Sequence, residues 1–252
     1  MIPKVIHYCW FGGNPLPPLA LKCIESWKTF LPGYEIKEWN ESNFDVNSIA
    51  YTREAYEARK YAFVSDYARF HILYHHGGLY FDTDVELIRP IDDIVARGAF
   101  MGCECEAKPG ATAPAVAPGL GLGCNPGQGL YAEILGLYGG LHFLSPDGGL
   151  NLKTVVEYTT ELLAAKGLRE VNEVQRVAEV WVYPKEYFCP IDYRTNVLDI
   201  TENTCSIHHY AASWHGTRQK IKMGIVRLLG TRLTSWGVAL KRFVKRSKLV
   251  LL

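Results

Sequence analysis

Residues 62–86, AFVSDYARFHILYHHGGLYFDTDVE, contain charged residues within a run of aliphatic and aromatic side chains that is typical of a buried segment. The charged residues that matter most here are Asp66, Arg69, Asp82 and Asp84. An unpaired ion taken out of water costs several kcal/mol, so a core segment rarely carries such groups without partners. The segment predicts a buried helix, a Gly-Gly break and a strand that together border a polar pocket with hydrophobic walls.

The two aspartates of the predicted strand are two residues apart. If the strand runs over 79–87, Tyr80, Asp82 and Asp84 share one face and the apolar residues share the other. Two carboxylates at this spacing suit a hard divalent cation, which takes oxygen ligands and retains water beside a phosphate. A strand end with solvated acids would show the same pattern.

Asp66 and Arg69 are three residues apart on the predicted helix and therefore share one side of it. They could form a structural ion pair. In a pocket-forming helix such a pair needs further partners, and sugar hydroxyls or phosphate oxygens would supply them, because arginine suits bidentate recognition of anions.

The rest of the chain alternates strands and helices, which predicts an α/β fold that opens with parallel strands. The predicted strands lie at 4–10, 34–39, 100–104, 180–184 and 206–210. The predicted helices lie at 19–30, 52–60, 62–76 and 151–166. Between them, 108–129 is rich in Gly and Pro and predicts a long irregular loop.

The last 37 residues, 216–252, contain ten Lys and Arg and no Asp or Glu. Apolar residues recur there near helical spacing, which predicts a basic amphipathic tail suited to an anionic membrane surface. An oligomer contact or nucleic-acid binding are the alternatives, although nucleic acid would leave the apolar stripe without a use. We expect no nucleic-acid partner.

Seven cysteines and no recognisable signal peptide favour a reduced, cytoplasmic chain. No run approaches the ~18–20 apolar residues that span a bilayer. Cys103-x-Cys105 could belong to a zinc site, but no second pair accompanies it, and buried thiols explain it more simply.

Three segments together, IPKVIHYCWFGG, SDYARF and HGGLYFDTDVE, resemble the DXD-containing sugar transferases of glycosyltransferase family 32. These are capsular-polysaccharide and mannosyltransferase-like enzymes, related to the glucosylating domain of large clostridial toxins. The resemblance covers about 1–215 and implies a GT-A-type catalytic domain. That fold is α/β, with a single mixed sheet flanked by helices, and 216–252 follows it as the basic tail.

The resemblance also implies roles for the central residues. Asp66 and Arg69 would hold hydroxyls of the donor sugar, and Tyr80 would line the nucleotide site. Asp82 would contact ribose, sugar or metal. Asp84 would bind the Mn²⁺ or Mg²⁺ that bridges the donor diphosphate.

Residues near both ends of 1–215 complete the implied donor site. Trp10 would stack on the nucleotide base, which needs a flat aromatic face; a core tryptophan beside a turn is the alternative. In SIHHYAASWHG, His209 is favoured over His208 as a metal ligand. Ser213 and Trp214 would contact the diphosphate.

The segment from Asp147 to Asn151 follows the Gly-rich loop and precedes a predicted helix. Its aspartate could simply cap that helix. By resemblance, Asp147 or Asn151 would face the reacting sugar as a catalytic residue. The run 119–129 reads as a wall of the acceptor cleft, with Asn125 as a weaker site candidate.

The expected function is retaining transfer of a hexosyl unit from a nucleotide-sugar to a hydroxyl of a glycan acceptor. UDP-sugars are favoured over GDP-mannose as donors. The acceptor is expected to be a lipid-linked oligosaccharide of capsule, exopolysaccharide or O-antigen synthesis, at the inner face of the cell membrane. The alternatives are a toxin-like protein glycosyltransferase and a non-catalytic nucleotide-sugar-binding protein.

Overall fold

The computed structural model describes residues 1–107, 114–192 and 197–211. The chain divides into two units, Met1–Pro190 with Ile200–His209 and Ile191–Asp199 with Tyr210–Leu252. In the described part of the second unit, Ile191 and Leu198 form an isolated antiparallel bridge. Ser213, Trp214 and the tail 216–252 lie outside the described residues. Within the described ranges, no helix is long and apolar enough to cross a bilayer.

Nine strands and seven helices are formed by the described residues. The strands are β1 Val5–Cys9, β2 Glu35–Trp39, β3 Gly78–Tyr80, β4 Val85–Leu87, β5 Phe100–Gly102, β6 Leu122–Cys124, β7 Gln175–Val177, β8 Val180–Tyr183 and β9 Ser206–His208. The helices are α1 Pro18–Phe30, α2 Ala50–Glu57, α3 Tyr61–His76, α4 Asp92–Arg97, α5 Gly129–Gly139, α6 Val155–Ala165 and α7 Lys185–Phe188.

Seven strands form one mixed sheet in the order β2-β1-β3-β6-β5-β8-β7. Strand β1 is parallel to both β2 and β3, whereas β6 is antiparallel to β3. The predicted α/β fold, with a mixed sheet flanked by helices, is confirmed, and its GT-A type stays a prediction. In such sheets the ligand site lies outside the carboxyl ends of the parallel strands.

The predicted strand 79–87 is wrong, because the chain turns in its middle. Val85 N donates to Asp82 O at 3.0 Å, which closes a turn over the D-T-D residues. Strand β3 before the turn belongs to the seven-stranded sheet, and β4 after it pairs antiparallel with β9 in a separate two-stranded sheet. Asp82 and Asp84 therefore do not share one face of a continuous strand.

Two further predictions need correction. The segment 108–129, predicted as an irregular loop, contains β6. Gly123 on this strand lets Phe100 pack against the backbone, because a Cβ at that position would lie 2.2 Å from the Phe100 ring. The helix predicted at 151–166 begins at Val155. Thr154 caps it, with Glu157 completing a reciprocal capping box.

Helix α3 packs within the hydrophobic core. It carries apolar residues on several sides, and Asp66 and Arg69 are buried with them. Its end is set by Gly77, with φ +64°, whose N–H donates to Leu73 O at 2.8 Å. At the next residue, Gly78, a Cβ would lie 2.6 Å from Val5 O, so only glycine allows α3 to pass directly into β3.

A buried histidine on β1 ties this junction to β2. Trp39 Nε1 donates to His7 Nδ1 at 3.0 Å, and His7 Nε2 lies 3.0 Å from Gly77 O. Because an indole only donates, Nδ1 accepts and Nε2–H donates to the carbonyl, which is the neutral imidazole. Burial lowers the pKa of His7 to about 4.

This histidine should make the protein acid-sensitive. The unfolded chain binds a proton near the usual pKa of 6.5, whereas the folded chain resists it until about 4. The stabilisation that neutral His7 gives the folded state is therefore fully present above pH 6.5 and is lost as the pH falls through 4. The change in the free energy of unfolding is on the order of 3 kcal/mol. Urea unfolding at a series of pH values should show a shallower pH dependence for His7→Gln than for the wild type. His75→Gln, at an exposed position on α3, should follow the wild type; parallel curves for all three proteins would contradict the prediction.

Candidate functional site

The carboxyl ends of β1 and β3 lie side by side in the main sheet. His7 on β1 is in register with Tyr80 on β3. Trp10, which follows β1, and Asp82, which follows β3, therefore lie at the same edge of the sheet. The middle of α3 carries Asp66 and Arg69, and the Arg69 side chain reaches Asp82 at this edge. The fold thus brings together residues that the sequence places far apart.

Arg69 joins two carboxylates. Its Nη2 lies 3.0 Å from Asp66 Oδ1 and 3.3 Å from Asp82 Oδ1, and its Nε donates to Ser65 O at 3.1 Å. The Arg69 side chain is 5% exposed and that of Asp66 12%, whereas Asp82 is 30% exposed, so the pair with Asp66 is buried and the pair with Asp82 is partly open to solvent. The helix pair and the first aspartate of D-T-D therefore form one cluster.

The cluster shifts the protonation of its members. Burial raises the pKa of Asp66 to about 7, although Arg69 opposes that shift. Burial alone would lower the pKa of Arg69, but Asp82, Tyr80 and Asp66 raise it on balance, so the guanidinium stays charged. At neutral pH, Asp66 can therefore exist as a carboxylic acid that donates a hydrogen bond or as a carboxylate that accepts one.

Tyr80 and Gly119 hold Asp82 from two sides. The Tyr80 hydroxyl donates to Asp82 Oδ1 at 3.0 Å, and its ring lies under the Arg69 guanidinium, with the centroid 5.1 Å away. Asp82 N donates to Gly119 O at 3.0 Å. A Cβ on Gly119 would lie 2.0 Å from Asp82 Oδ2, so any larger residue here would displace the Asp82 carboxylate. Sequence reasoning placed Gly119 in the cleft wall and missed this role, whose only signal is its position in a Gly-rich run.

Asp84, the second aspartate, has different neighbours. His208 Nε2 lies 3.3 Å from Asp84 Oδ1, and Asp84 O accepts a hydrogen bond from His209 N at 3.0 Å. The His209 ring instead lies 2.7 Å from Glu86 Oε2. The structure thus places His208, and not the favoured His209, beside Asp84; the ligand role of His209 stays a prediction.

His208 is held as a cation in this arrangement. Burial would lower its pKa, but the Asp84 carboxylate and a hydrogen bond with Cys189 raise it well above the usual value. The pair therefore balances charge next to the D-T-D turn.

The donor set beside the turn suits a hard cation. Asp82 and Asp84 offer carboxylate oxygens, the ligands that Mg²⁺ and Mn²⁺ prefer, and such ions complete their shells with water and substrate phosphates. Within the described ranges, no three His, Cys, Asp or Glu side chains converge in ligand geometry. A divalent ion would therefore depend on the two aspartates together with oxygens from a bound ligand.

Trp10 lies where β1 ends, half-buried at the same sheet edge. Its backbone N donates to Trp39 O at 2.8 Å, and its indole Nε1 donates to Asn14 O at 2.6 Å. Gly12 N donates to Glu41 Oε1 at 2.6 Å, which holds the loop after the strand. Stacking of Trp10 on a base stays a prediction, and its position at this edge is compatible with it.

Asp147 and Asn151 belong to an exposed loop. The Ser145 hydroxyl donates to Asp147 Oδ1 at 2.5 Å, so the aspartate closes its own turn and does not cap α6. Asn151 Nδ2 donates to the Tyr158 hydroxyl at 3.0 Å. Neither residue contacts the Arg69 cluster in the described structure, and their catalytic role stays a prediction.

Asn125 is wrong as a candidate for this site. It follows β6, which is antiparallel to β3, with Cys124 opposite Gly78. Asn125 therefore lies beyond the amino end of β3, at the opposite edge of the sheet from Asp82. The Gly-rich segment contributes to the site through Gly119 and not through Asn125.

Comparison with known proteins bears on the segment that contains the cluster. A family model described as glycosyltransferase sugar-binding region containing DXD motif matches residues 17–101. Inositol phosphoceramide mannosyltransferase 1 of Schizosaccharomyces pombe is 27% identical over 111 residues, 40% of this chain and 33% of that protein. An uncharacterized glycosyltransferase of Acanthamoeba polyphaga mimivirus is 30% identical over 111 residues, 40% of this chain and 43% of that protein.

Among solved structures, PaToxG Glycosyltransferase aligns with a TM-score of 0.47 at 19% identity, covering 66% of this chain and 70% of that one. The match spans a third of the first of these curated relatives and 43% of the second. The matched segment contains the whole Arg69 cluster and both aspartates of D-T-D. Residues 17–101 are therefore similar to glycosyltransferase sugar-binding regions that contain a DXD motif.

Proposed function

We propose that this chain is a glycosyltransferase that moves a hexosyl unit from a nucleotide-sugar to a hydroxyl of a glycan acceptor. The observation that carries the proposal is the buried cluster of Asp66, Arg69 and Asp82 at the carboxyl edge of the sheet, inside the matched sugar-binding region. In this proposal, 1–215 is the catalytic domain.

The cluster supplies the donor-binding chemistry. Arg69 is a fixed cation with planar N–H donors, suited to the oxygens of a donor sugar or its phosphates. Asp66, with a pKa of about 7, can donate to one sugar hydroxyl and accept from another. Asp82, held by Tyr80 and Arg69, presents its carboxylate in one orientation, which reduces the cost of positioning the donor.

A divalent ion, Mn²⁺ or Mg²⁺, would act as a Lewis acid on the leaving diphosphate when bound. Asp84 and Asp82 would hold it. The chain's own part is electrostatic: Arg69 and the donors around it favour the negative charge that develops on the leaving group. We propose retention of the donor's anomeric configuration, with Asp147 or Asn151 near the reacting sugar and Trp10, Ser213 and Trp214 on the donor.

The donor and acceptor classes are part of the proposal. The name of the Schizosaccharomyces pombe relative specifies a mannosyl group and a lipid, inositol phosphoceramide. That supports a hexosyl donor and a lipid-linked acceptor for this chain, and it puts GDP-mannose beside the favoured UDP-sugars in any screen. We also propose that the enzyme is cytoplasmic, lies at the membrane surface and acts in capsule, exopolysaccharide or O-antigen synthesis. The proposed membrane contact is supported by the basic composition of 216–252.

Donor cleavage tests the proposal. The purified chain should hydrolyse at least one UDP- or GDP-sugar when Mn²⁺ or Mg²⁺ is supplied, and chelation should stop the reaction. Asp84→Asn should lower metal-dependent turnover on the order of 100-fold, because it removes charge at the diphosphate. Released nucleotide is the measurement, and metal-dependent donor affinity by calorimetry is a second one.

Asp92→Asn, which changes an exposed acid at the start of α4, is the matched control and should retain turnover. If neither metal supports cleavage of any nucleotide-sugar, the proposed function fails. If Asp84→Asn keeps metal-dependent donor binding near the wild-type level, the role given to Asp84 fails while the function stands.

A further inference from the structure

Two histidines one helical turn apart lie near the carboxyl end of α3. His71 is half-buried and His75 is exposed, so ions in solution can reach the pair. Their ring centroids are 4.5 Å apart, and the ring planes are inclined by 55°. The Cβ atoms of helix positions four residues apart are about 5–6 Å from each other. The two rings therefore lie closer together than their points of attachment to the helix.

The ring nitrogens of this pair are not used elsewhere in the fold. Four other described histidines have hydrogen-bond or ion-pair partners for their rings: His7, His142, His208 and His209. Among the described residues, none hydrogen-bonds to a ring nitrogen of His71 or His75. The unprotonated nitrogen of each ring thus keeps its lone pair for another ligand.

Aromatic side chains restrict both rings. The His71 ring meets Phe44 edge-on, with centroids 5.6 Å apart and planes at 88°, and it lies 5.8 Å from the ring of Tyr67. The His75 ring lies 5.1 Å from that of Tyr74. Because these neighbours limit the rotation of the rings, less side-chain entropy is lost when both bind one ligand.

The His71 ring is neutral at neutral pH. Burial lowers the pKa of His71, and the positive charge that His75 and His76 carry when protonated lowers it further. Neutral imidazole is the form that binds metal ions, because protonation removes the lone pair. His71 can therefore act as a ligand without first losing a proton.

The pair faces away from the donor cluster. Arg69 precedes His71 by two residues, and helix positions two apart do not face each other. Arg69 points to Asp82, at 3.3 Å, whereas the His71 ring packs against Phe44. Nothing in the donor chemistry uses the two histidines.

The ligand set selects a transition ion. Imidazole nitrogens suit Ni²⁺, Cu²⁺ and Zn²⁺, whereas Mg²⁺ and Mn²⁺ prefer the oxygen ligands that Asp82 and Asp84 offer. Both rings project from one helix, so the second ring binds within the same molecule once the first holds the ion. Within the described ranges, no third His, Cys, Asp or Glu side chain joins the pair. Water would therefore complete the coordination.

We propose that His71 and His75 form a chelating site for one divalent transition ion of the Ni²⁺, Cu²⁺ and Zn²⁺ class. The site is separate from the Mn²⁺ or Mg²⁺ that the D-T-D residues would hold, and it does not depend on the proposed function. Because unfolding separates the two rings, an ion bound to both stabilises the folded chain.

Calorimetry of the full chain with NiCl₂ tests the proposal directly. Excess MgCl₂ is present throughout, so that oxygen sites are taken by the harder ion and nitrogen ligands remain for Ni²⁺. The wild type should bind one Ni²⁺ per chain under these conditions. Absence of binding that resists Mg²⁺ would overturn the proposal.

Two variants and a matched control assign the ligands. His75→Gln and His71→Gln should each lose the binding, because a single imidazole cannot chelate. Circular dichroism establishes that each variant is folded, and His75→Gln, at an exposed position, decides the outcome if His71→Gln does not fold.

His76→Gln is the control. It removes an exposed histidine from the same end of α3, whose ring lies beside Trp39 with centroids 5.3 Å apart, and it should bind Ni²⁺ as the wild type does. Binding that persists in His75→Gln, or that disappears in His76→Gln, would overturn the assignment.

Thermal unfolding gives a second readout. NiCl₂ should raise the Tm of the wild type and of His76→Gln, and it should leave the Tm of His75→Gln unchanged. Equal shifts in the wild type and His75→Gln would place the ion elsewhere on the chain and overturn the site. Donor cleavage by His75→Gln should equal that of the wild type, so this proposal and the proposed function can fail separately.

Discussion

Arg69→Ala should lower the free energy of unfolding by about 3–5 kcal/mol, because it leaves two acids without their shared cation. Asp66 and Asp82 lie 3.0 and 3.3 Å from the guanidinium, and the Arg69 side chain is 5% exposed. Removing one partner of a buried pair strands the other charge in a medium that solvates it poorly. Denaturant unfolding of the purified protein measures the effect, and donor cleavage should fall with it.

Two comparisons sharpen this prediction. Adding Asp66→Asn to Arg69→Ala should restore part of the stability, because the neutral amide needs no cation. Arg169→Ala, which breaks an exposed pair with Glu173, should change stability by less than about 1 kcal/mol. If Arg69→Ala and Arg169→Ala have similar small effects, the buried cluster is not the stabilising unit described above.

Gly119→Ala should lower turnover about 100-fold while the protein remains folded. The new methyl group would lie 2.0 Å from Asp82 Oδ2, so the carboxylate must move away from Arg69 and Tyr80. A misplacement of about 1 Å in a catalytic group is enough for a loss of this size. Turnover and donor affinity measure the effect, with a circular dichroism spectrum to establish folding.

Gly136→Ala is the matched control for this substitution. Gly136 lies within α5, and a Cβ there would have no neighbour within 4 Å. Alanine should retain turnover and stabilise the helix by up to about 1 kcal/mol. A Gly119→Ala enzyme as active as Gly136→Ala would show that Asp82 can shift without loss, against the role proposed for its orientation.

The helical half of the site was predictable because its pattern is local. Asp66 and Arg69 are three residues apart, and helix geometry alone puts them on one side of α3. The break after β3 was not predictable in the same way. The apolar and aromatic residues of L-Y-F-D-T-D-V-E-L continue through it, and the Asp82 N–H at its start bonds to the carbonyl of Gly119, far along the chain.

The sequence did not show which of the two adjacent histidines lies beside Asp84, for a related reason. Neighbouring residues on a strand point to opposite faces, so the register of β9 decides which ring meets Asp84. That register, Val85 opposite His208, belongs to a strand pairing that the sequence pattern did not reveal. Asn125 was misplaced likewise, because the hidden strand β6 carries it to the other edge of the sheet.

The D-T-D residues lie in a turn between two sheets, which has a consequence for how such a site can change. Asp82 is held by α3, Tyr80 and Gly119, whereas Asp84 is held at the β4–β9 pairing. Substitutions in 206–208 can therefore move the second carboxylate and leave the first in place, and substitutions at 119 can do the reverse. The distance between two carboxylates only two residues apart in sequence thus becomes an adjustable property, set by distant parts of the chain that can vary independently.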